Sequence, residues 1–182
     1  IINQRPFRSP HHTSSLTSII GGGKRIKPGE ISLASNGVLL LDELAEFPRS
    51  VLESLRQPLE DGLVSITRAQ YRVEFLSKFQ LLATSNPCFC GNYYEGASCT
   101  CTQHEVNKYM KKLSGPIMDR IDIHIEMRRL SEDELMNSAE AENSNTIKER
   151  VMKAREIQRK RYNSDLLNGN LGQKEIKKYC KI

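Results

Sequence analysis

The sequence contains no long apolar segment, and none of its stretches approaches the roughly 20 consecutive apolar residues that a membrane-spanning helix needs. An apolar region is also missing after residues 1–5, so this start is not that of a secretory signal peptide. These absences exclude a membrane protein and favour a cytoplasmic one. A hydrophobic content of 38% in 182 residues is enough for one ordinary core and a small appended domain.

The chain also has only a small excess of positive charge. The formal net charge is +5, which is weak support for a nucleic-acid partner because most basic side chains on any protein face water. Five cysteines without an export signal argue against a disulfide framework, since the cytosol keeps thiols reduced. Metal binding is then the alternative to free thiols.

Two continuous apolar runs predict buried strands of a parallel sheet. Residues 37–41 end abruptly in the acidic pair 42–43, and residues 79–84 end in Ser-Asn-Pro at 85–87. Apolar residues at helical spacing lie between the two runs. Strand, helix and strand in this order predict a parallel crossover, and the fold class is therefore α/β.

Weaker patterns predict the elements around this crossover. Pro48 marks the start of the helix and Pro58 predicts a kink or a stop within it. Residues 64–68 and 71–75 alternate in period two across a short turn, which predicts a β-hairpin. Residues 121–126 alternate like an edge strand.

From Leu130 onward the pattern is helical and highly charged. Residues 131–134 and 146–149 both fit the capping box that begins a helix. We therefore expect a core over residues 1–128 and a helical part over residues 129–182. The many basic residues of the second helix are explained by a solvated face.

The acidic pair Asp42-Glu43 is the strongest chemical signal. It stands at the carboxyl edge of a predicted parallel sheet, where open α/β folds bind ligands. At such an edge one acid can hold Mg²⁺ and the next can polarise an attacking water. Asn86, after the next strand, would lie beside the pair and orient water or phosphate. The alternatives are an acidic helix start for the pair and a turn for Asn86.

No phosphate-binding loop is recognisable. The best candidate for G-x-x-x-x-G-K-[ST] is residues 21–25, but Arg25 follows Lys24 where a hydroxyl is needed. Residues 28–29, Pro-Gly, argue against a following helix. We expect a glycine-rich surface loop with Lys24, Arg25 and Lys27 at its tip, and no tight ATP binding by this chain alone.

Four cysteines form two C-x-C pairs separated by a short loop. Cys88 and Cys90 make the first pair, and Cys99 and Cys101 make the second. Four thiolates this close could hold a tetrahedral structural Zn²⁺ ion, with His104 as a substitute ligand. The spacing is tighter than that of most zinc turns, so reduced free thiols remain the alternative.

Arg120 stands between a turn at residues 114–116 and the predicted edge strand. An arginine in this position could project into a neighbouring subunit and stabilise charge on a transferring phosphate. A surface ion pair with Asp119 or Asp122 is the alternative.

Together these motifs resemble a known family. The blocks that carry the resemblance are residues 5–12 (RPFRSPHH), 28–34 (PGEISLA), 37–47, 55–62 (LRQPLEDG), 86–88 (NPC) and 114–122. They are similar to magnesium-chelatase-like proteins of the YifB/ComM family, which are AAA+ ATPases of the helix-2-insert clade. The resemblance implies a partial AAA+ core with β-hairpin insertions, followed by part of an α-helical lid. It also implies a fragment that lacks the phosphate loop and the second sensor.

The resemblance implies a homo-hexameric ring ATPase that uses ATP and Mg²⁺, and for ComM members branch migration of DNA in natural transformation. Asp42 and Glu43 match the Walker B acids, Asn86 the first sensor and Arg120 the arginine finger. Residues 21–31 and 64–75 match loops that face the pore in related helicases. The residues that would contact DNA phosphates are Lys24, Arg25, Lys27, Arg68 and Arg72.

Two other functions fit parts of the sequence. A magnesium-chelatase motor subunit would remodel a tetrapyrrole-binding protein, but the cysteine pairs and residues 5–12 argue against it. An enhancer-binding transcription activator has a similar acidic strand and helix. Such activators need a polymerase-contacting loop, which we cannot find in the sequence.

Overall fold

The computed structural model describes residues 4–68, 71–113, 115–127, 129–136 and 141–180. The chain divides into two compact units, Ile1–Arg128 and Arg129–Ile182. The strands are β1 (Phe7–Arg8), β2 (Gly21–Gly22), β3 (Lys27–Pro28), β4 (Val38–Leu41), β5 (Leu63–Arg68), β6 (Tyr71–Leu76) and β7 (Gln80–Ala83). The α-helices are α1 (Leu16–Ile20), α2 (Glu30–Leu33), α3 (Arg49–Ser54), α4 (Arg56–Asp61), α5 (Gln103–Met110), α6 (Glu132–Met136), α7 (Ser144–Tyr162) and α8 (Gln173–Tyr179).

A parallel sheet of order β1-β4-β7 forms the centre of the first unit. Its middle strand β4 places Leu39 and Leu41 in the core with 0% exposure, and each such side chain contributes about 1.5–3 kcal/mol to folding. The apolar runs therefore became strands for the predicted reason, and the expected α/β class with a parallel sheet is confirmed.

Strand β1 was not predicted from the sequence, because it pairs over only two residues. Its backbone approaches β4 so closely that a Cβ atom added at Gly37 would overlap the carbonyl oxygen of Pro6. That same carbonyl accepts a hydrogen bond from the amide of Val38 at 2.9 Å. Glycine at position 37 is thus required for β1 to join the sheet.

The crossover from β4 to β7 follows the sequence prediction. Helices α3 and α4 meet at Leu55, three residues before Pro58, so the expected interruption is present. Gly62 ends α4 in the left-handed conformation, with φ 66°. The predicted hairpin is confirmed as antiparallel β5 and β6, with Arg68 opposite Tyr71.

The glycine-rich segment folds as a second, smaller hairpin. Strands β2 and β3 pair antiparallel, with Gly21 opposite Pro28 and Gly22 opposite Lys27. A short helix, α2, does begin at Glu30, although the Pro-Gly pair argued against one. This helix has four residues and starts directly after Gly29, so it does not include the Pro-Gly pair.

The predicted edge strand at residues 121–126 is not formed. The backbone has no regular structure there, and Ile123 and Ile125 are 74% and 75% exposed. A strand needs a neighbour for its backbone hydrogen bonds, and no strand pairs with this segment within the described residues. Alternation of apolar and polar residues was therefore not enough to predict a strand in this segment.

The second unit is helical throughout its regular structure. The capping box at Ser131 is confirmed, since its hydroxyl accepts from the Glu134 amide at 3.3 Å while the Glu134 carboxylate accepts from the Ser131 amide at 2.9 Å. The second predicted box was wrong. Helix α7 begins at Ser144, and Asn143 caps it by accepting from the Thr146 amide at 3.0 Å. None of the helices in the described ranges is long and apolar enough to cross a membrane.

Candidate functional site

The carboxyl ends of β4 and β7 meet at the acidic pair. Leu41 lies opposite Ala83 in the parallel ladder, so the next residues, Asp42 and Thr84, are neighbours. The Thr84 hydroxyl donates to Oδ1 of Asp42 at 2.5 Å and accepts from the Glu43 amide at 3.1 Å. One side chain at the end of β7 thus fixes both acids.

Glu43 has an unusual backbone conformation for a residue with a side chain. Its φ of 55° and ψ of 52° are left-handed, which for residues other than glycine is costly and concentrates at functional sites. Its side chain is 50% exposed, and its Oε2 lies 3.3 Å from Nδ1 of His12. The sequence positions Glu43 after a strand, whereas the tertiary structure aims it at a histidine.

His12 and Thr84 are site residues that the sequence analysis did not identify. The His12 ring packs 4.1 Å from that of His11 and edge-on at 6.3 Å to Phe47, measured between ring centroids. The sequence did mark both residues. Residues 11–12 belong to a block that carries the family resemblance, and Thr84 is the hydroxyl-bearing residue at the end of an apolar run. Neither pattern predicts which residue the side chain contacts.

The donor atoms at this edge fit Mg²⁺. Asp42 is exposed, the hydrogen bond from Thr84 engages its Oδ1, and no side chain in the described part of the structure bonds to its Oδ2. Mg²⁺ is held by carboxylate oxygens and waters, commonly with only one or two protein carboxylates. Asn86 is exposed two residues beyond Thr84, past the carboxyl end of β7, so it belongs to the same region.

Arg120 is placed against α4 of its own chain. Its guanidinium forms an ion pair with Glu60 and donates to the carbonyl oxygen of Pro116. The ion-pair partner is therefore neither Asp119 nor Asp122. Within the described residues, Nε of Arg120 is buried and has no hydrogen-bond partner. The side chain is 20% exposed, so part of it is accessible.

The four predicted cysteines form one cluster. The sulfur atoms of Cys88, Cys90, Cys99 and Cys101 all lie within 4.8 Å of one another. All four thiols are free, and three sulfur pairs are 3.4, 3.6 and 3.9 Å apart. His104, the expected substitute ligand, does not belong to this group.

The thiols of this cluster have unequal acidities. Hydrogen bonds from the backbone amides of Asn92 and Thr100 lower the pKa of Cys90 to about 5. Cys99 and Cys101 each accept a backbone hydrogen bond that favours the thiolate, but desolvation and the neighbouring thiols outweigh it. The pKa of Cys99 is therefore raised, and that of Cys101 is raised to about 11.

The cysteine cluster adjoins the sheet edge through aromatic packing. The Phe89 ring meets the buried Tyr109 ring edge-on, with centroids 4.8 Å apart. Nζ of Lys112 lies 5.4 and 5.3 Å from these two centroids and 3.5 Å from a carboxylate oxygen of Glu46. Glu46 belongs to the turn that follows the acidic pair, so one continuous set of contacts joins the two sites.

The predicted DNA-contacting residues lie on the two hairpins. Lys24, Arg25 and Lys27 are exposed on and beside the tip of the β2–β3 hairpin. Arg72 is exposed on β6 but is partly neutralised, because its Nη2 lies 2.9 Å from a Glu74 oxygen. Arg68 ends β5, and its side chain lies outside the described part of the structure.

The hairpin that bears Arg72 also carries an exposed aromatic residue, which the sequence analysis did not identify. Tyr71 opens β6 and is 68% exposed.

A parallel sheet with a fixed acidic pair at its carboxyl edge, flanked by hairpins, defines a partial AAA+ core. The family model described as magnesium chelatase, subunit ChlI, matches residues 1–135, and the model for the ChlI C-terminal region matches residues 141–182. The chain belongs to the magnesium chelatase ChlI family.

Three relatives illustrate the range of similarity. Competence protein ComM of Haemophilus influenzae and YifB of Escherichia coli are each 46% identical over 180 residues, which is 98% of this chain and 35% of theirs. Maternal DNA replication licensing factor mcm6 of Xenopus tropicalis is 32% identical over 98 residues, 54% of this chain and 11% of its own length. The chain thus spans about a third of its ComM and YifB relatives. The resemblance inferred from the motif blocks is confirmed.

Replacing Thr84 by valine should loosen the acidic pair, because it removes the hydroxyl that holds Asp42 and the Glu43 amide. A hydrogen bond contributes about 0.5–1.5 kcal/mol net, so hydrogen exchange at the Glu43 amide should accelerate roughly two- to tenfold. Thr84→Ser keeps the hydroxyl and should exchange like the unchanged protein. Equal exchange in all three proteins would contradict this assignment.

Proposed function

We propose that this chain supplies the magnesium-binding and water-activating half of the ATP site of an AAA+ motor that remodels DNA. The observation that carries the proposal is the acidic pair fixed by Thr84 at the carboxyl edge of the sheet. Phosphoryl transfer depends on charge neutralisation and an aligned nucleophile more than on covalent chemistry. Two exposed carboxylates held in different orientations can divide these tasks.

In this proposal each residue has a separate role. Asp42 would hold Mg²⁺, and the bound ion would neutralise charge on the nucleotide phosphates. Glu43 accepts a proton from the attacking water, and Asn86 orients that water or the terminal phosphate. His12 is a positioning residue, because its Nδ1 lies 3.3 Å from Oε2 of Glu43 and this contact restrains the carboxylate that must reach the water.

Glu43→Gln in the intact protein should lower ATP turnover by about 10²–10⁴-fold, the usual contribution of a general base, and leave nucleotide binding unchanged. Glu46→Gln is the matched control, since Glu46 follows in the same turn and pairs with Lys112 instead. ATP hydrolysis under saturating nucleotide and binding of a fluorescent nucleotide are the measurements. Undiminished hydrolysis by the Glu43→Gln protein would refute the assignment.

Arg120 is proposed to complete the site of a neighbouring subunit in a homo-hexameric ring. Its guanidinium pairs with Glu60 in the isolated chain and is partly accessible. A finger of this kind must leave or share its resting partner when the neighbouring phosphate approaches. The buried, unpartnered Nε, in the described part of the chain, shows that Glu60 and Pro116 do not satisfy the whole guanidinium.

Comparison of Arg120→Ala with Glu60→Gln separates a finger from a structural ion pair. A finger contributes about 10³–10⁵-fold, so Arg120→Ala should lose turnover on that scale, whereas Glu60→Gln should retain it. Turnover and the free energy of unfolding are measured for both intact variants. If the two variants instead lose equal stability and similar activity, Arg120 serves only its own chain.

DNA is the proposed partner of the two hairpins. Lys24, Arg25 and Lys27 form an exposed group that can neutralise phosphates without reading sequence. Arg72 adds a charge on the second hairpin, and the exposed ring of Tyr71 offers a surface on which a base can stack. The relatives named competence protein and DNA replication licensing factor support a DNA partner over the other candidates.

The triple variant Lys24/Arg25/Lys27→Ala should bind DNA more weakly and with a smaller dependence on salt. The plot of log K against log salt has a negative slope, and its magnitude should decrease by about 0.9 for each duplex phosphate contact that is lost. The control variant Lys148/Lys153/Lys174→Ala removes the same charge from exposed positions of the second unit. It should leave the slope unchanged. Fluorescence anisotropy titrations of the intact protein at several salt concentrations measure both.

A protein-remodelling motor is the second candidate, favoured by the family description itself. It shares the ATP site but needs no DNA contact. If the triple variant and the control bind DNA equally, the hairpin lysines and arginines merely face water and this second candidate replaces the first.

A further inference from the structure

We propose that Cys88, Cys90, Cys99 and Cys101 bind one structural Zn²⁺ ion. Their sulfur atoms lie within 4.8 Å of one another, with three pairs at 3.4, 3.6 and 3.9 Å. A tetrahedral ion with Zn–S bonds of about 2.3 Å separates its sulfur ligands by about 3.8 Å. The cluster therefore already has the spacing of a mononuclear thiolate site, whereas a disulfide would bring two sulfurs to about 2.05 Å.

The ligand chemistry selects the metal. Four soft thiolates in a tetrahedral arrangement suit zinc or an iron–sulfur cluster, and they do not suit Mg²⁺ or Ca²⁺, which prefer oxygen. In an iron–sulfur cluster the four cysteine thiolates bind two or four different iron atoms. Their sulfur atoms are therefore spread around the outside of the cluster. The close mutual spacing of the sulfurs favours a single zinc ion.

The loop around the thiols is built to hold their charge. Cys88 is fully buried, and Gly91 turns the chain after Cys90 with φ 81°. The backbone amides of Asn92 and Thr100 both donate hydrogen bonds to the Cys90 sulfur. Such outer contacts orient metal ligands and compensate thiolate charge. Freely moving thiols on a surface would need none of these contacts.

The position of the site indicates what zinc would stabilise. Cys88 lies two residues after Asn86, and Cys101 directly precedes Thr102, the N-cap of α5. A metal bound by both C-x-C pairs would join the end of β7 to the start of α5. The Phe89–Tyr109 contact continues this link into the core. Zinc would thus fix the loop that presents Asn86, a consequence that rests on the proposed function, whereas zinc binding itself does not.

Metal content tests the proposal without nucleotide or DNA. The protein, purified without added metal or chelator, should contain about one zinc per chain by plasma mass spectrometry. Replacement with Co²⁺ should give the intense visible absorption of tetrahedral thiolate coordination together with a thiolate-to-cobalt charge-transfer band. Of the five cysteines in this sequence, a thiol reagent should modify one rapidly in the zinc-bound protein and all five after the metal is chelated under denaturing conditions.

Variants assign the ligands. Cys90→Ser and Cys99→Ser should each lose zinc, whereas Cys180→Ser should retain it and lose the one rapidly reacting thiol, because Cys180 is exposed and outside the cluster. The cobalt spectrum of the unchanged protein decides the question even if a ligand variant fails to fold. Protein that contains no zinc, gives no thiolate–cobalt spectrum and reacts at five thiols overturns the proposal. Stoichiometric iron and sulfide would overturn it in favour of a cluster.

Hydrogen exchange tests the structural consequence separately. Removal of zinc should accelerate exchange across residues 84–113 and leave the β2–β3 hairpin unaffected. If exchange across residues 84–113 were the same before and after zinc is removed, zinc would have no role in fixing the Asn86 loop. Because ATP turnover is not measured in these experiments, their outcome is independent of whether the motor function is correct.

Discussion

The parallel pairing of β4 with β7 is the constraint on which the rest of the site depends. Its register sets Leu41 opposite Ala83 and so brings Thr84 beside Asp42. A slip of one residue would turn every side chain of a strand to the other face of the sheet. Both the core leucines of β4 and the acidic pair that follows them would then be misplaced, so packing and chemistry depend on one register.

From this edge, contacts extend in two directions. On one side His12, placed after β1, holds the carboxylate of Glu43. On the other side Glu46 meets Lys112, which lies over the rings of Phe89 and Tyr109 beside the cysteine cluster. An exposed ion pair such as Glu46–Lys112 contributes little stability, about 0–1 kcal/mol. These contacts orient groups whose positions the hydrophobic core has already set.

The β2–β3 hairpin projects from the core while its base is packed against it. Its tip presents basic residues to solvent, whereas a Cβ atom added at Gly29 would overlap the carbonyl oxygen of Ile19. In the proposed motor, the sheet edge would serve the nucleotide and the projecting hairpins would contact the partner. The chain's family is known from the comparisons, whereas the identity of the partner is part of the proposal.

The sequence by itself determined the buried strands, the interrupted crossover helix, the β5–β6 hairpin and the candidate groups, because hydrophobic periodicity, proline and spacing are local properties. It could not find β1, which pairs over two residues, and it wrongly predicted a strand at residues 121–126, because pairing depends on a neighbour. Only the tertiary structure decided that Thr84 bridges the acids, that His12 meets Glu43, that Arg120 pairs with Glu60 and that His104 stays outside the cysteine cluster. These are contacts between residues distant in sequence, and they are set by how the strands and helices pack.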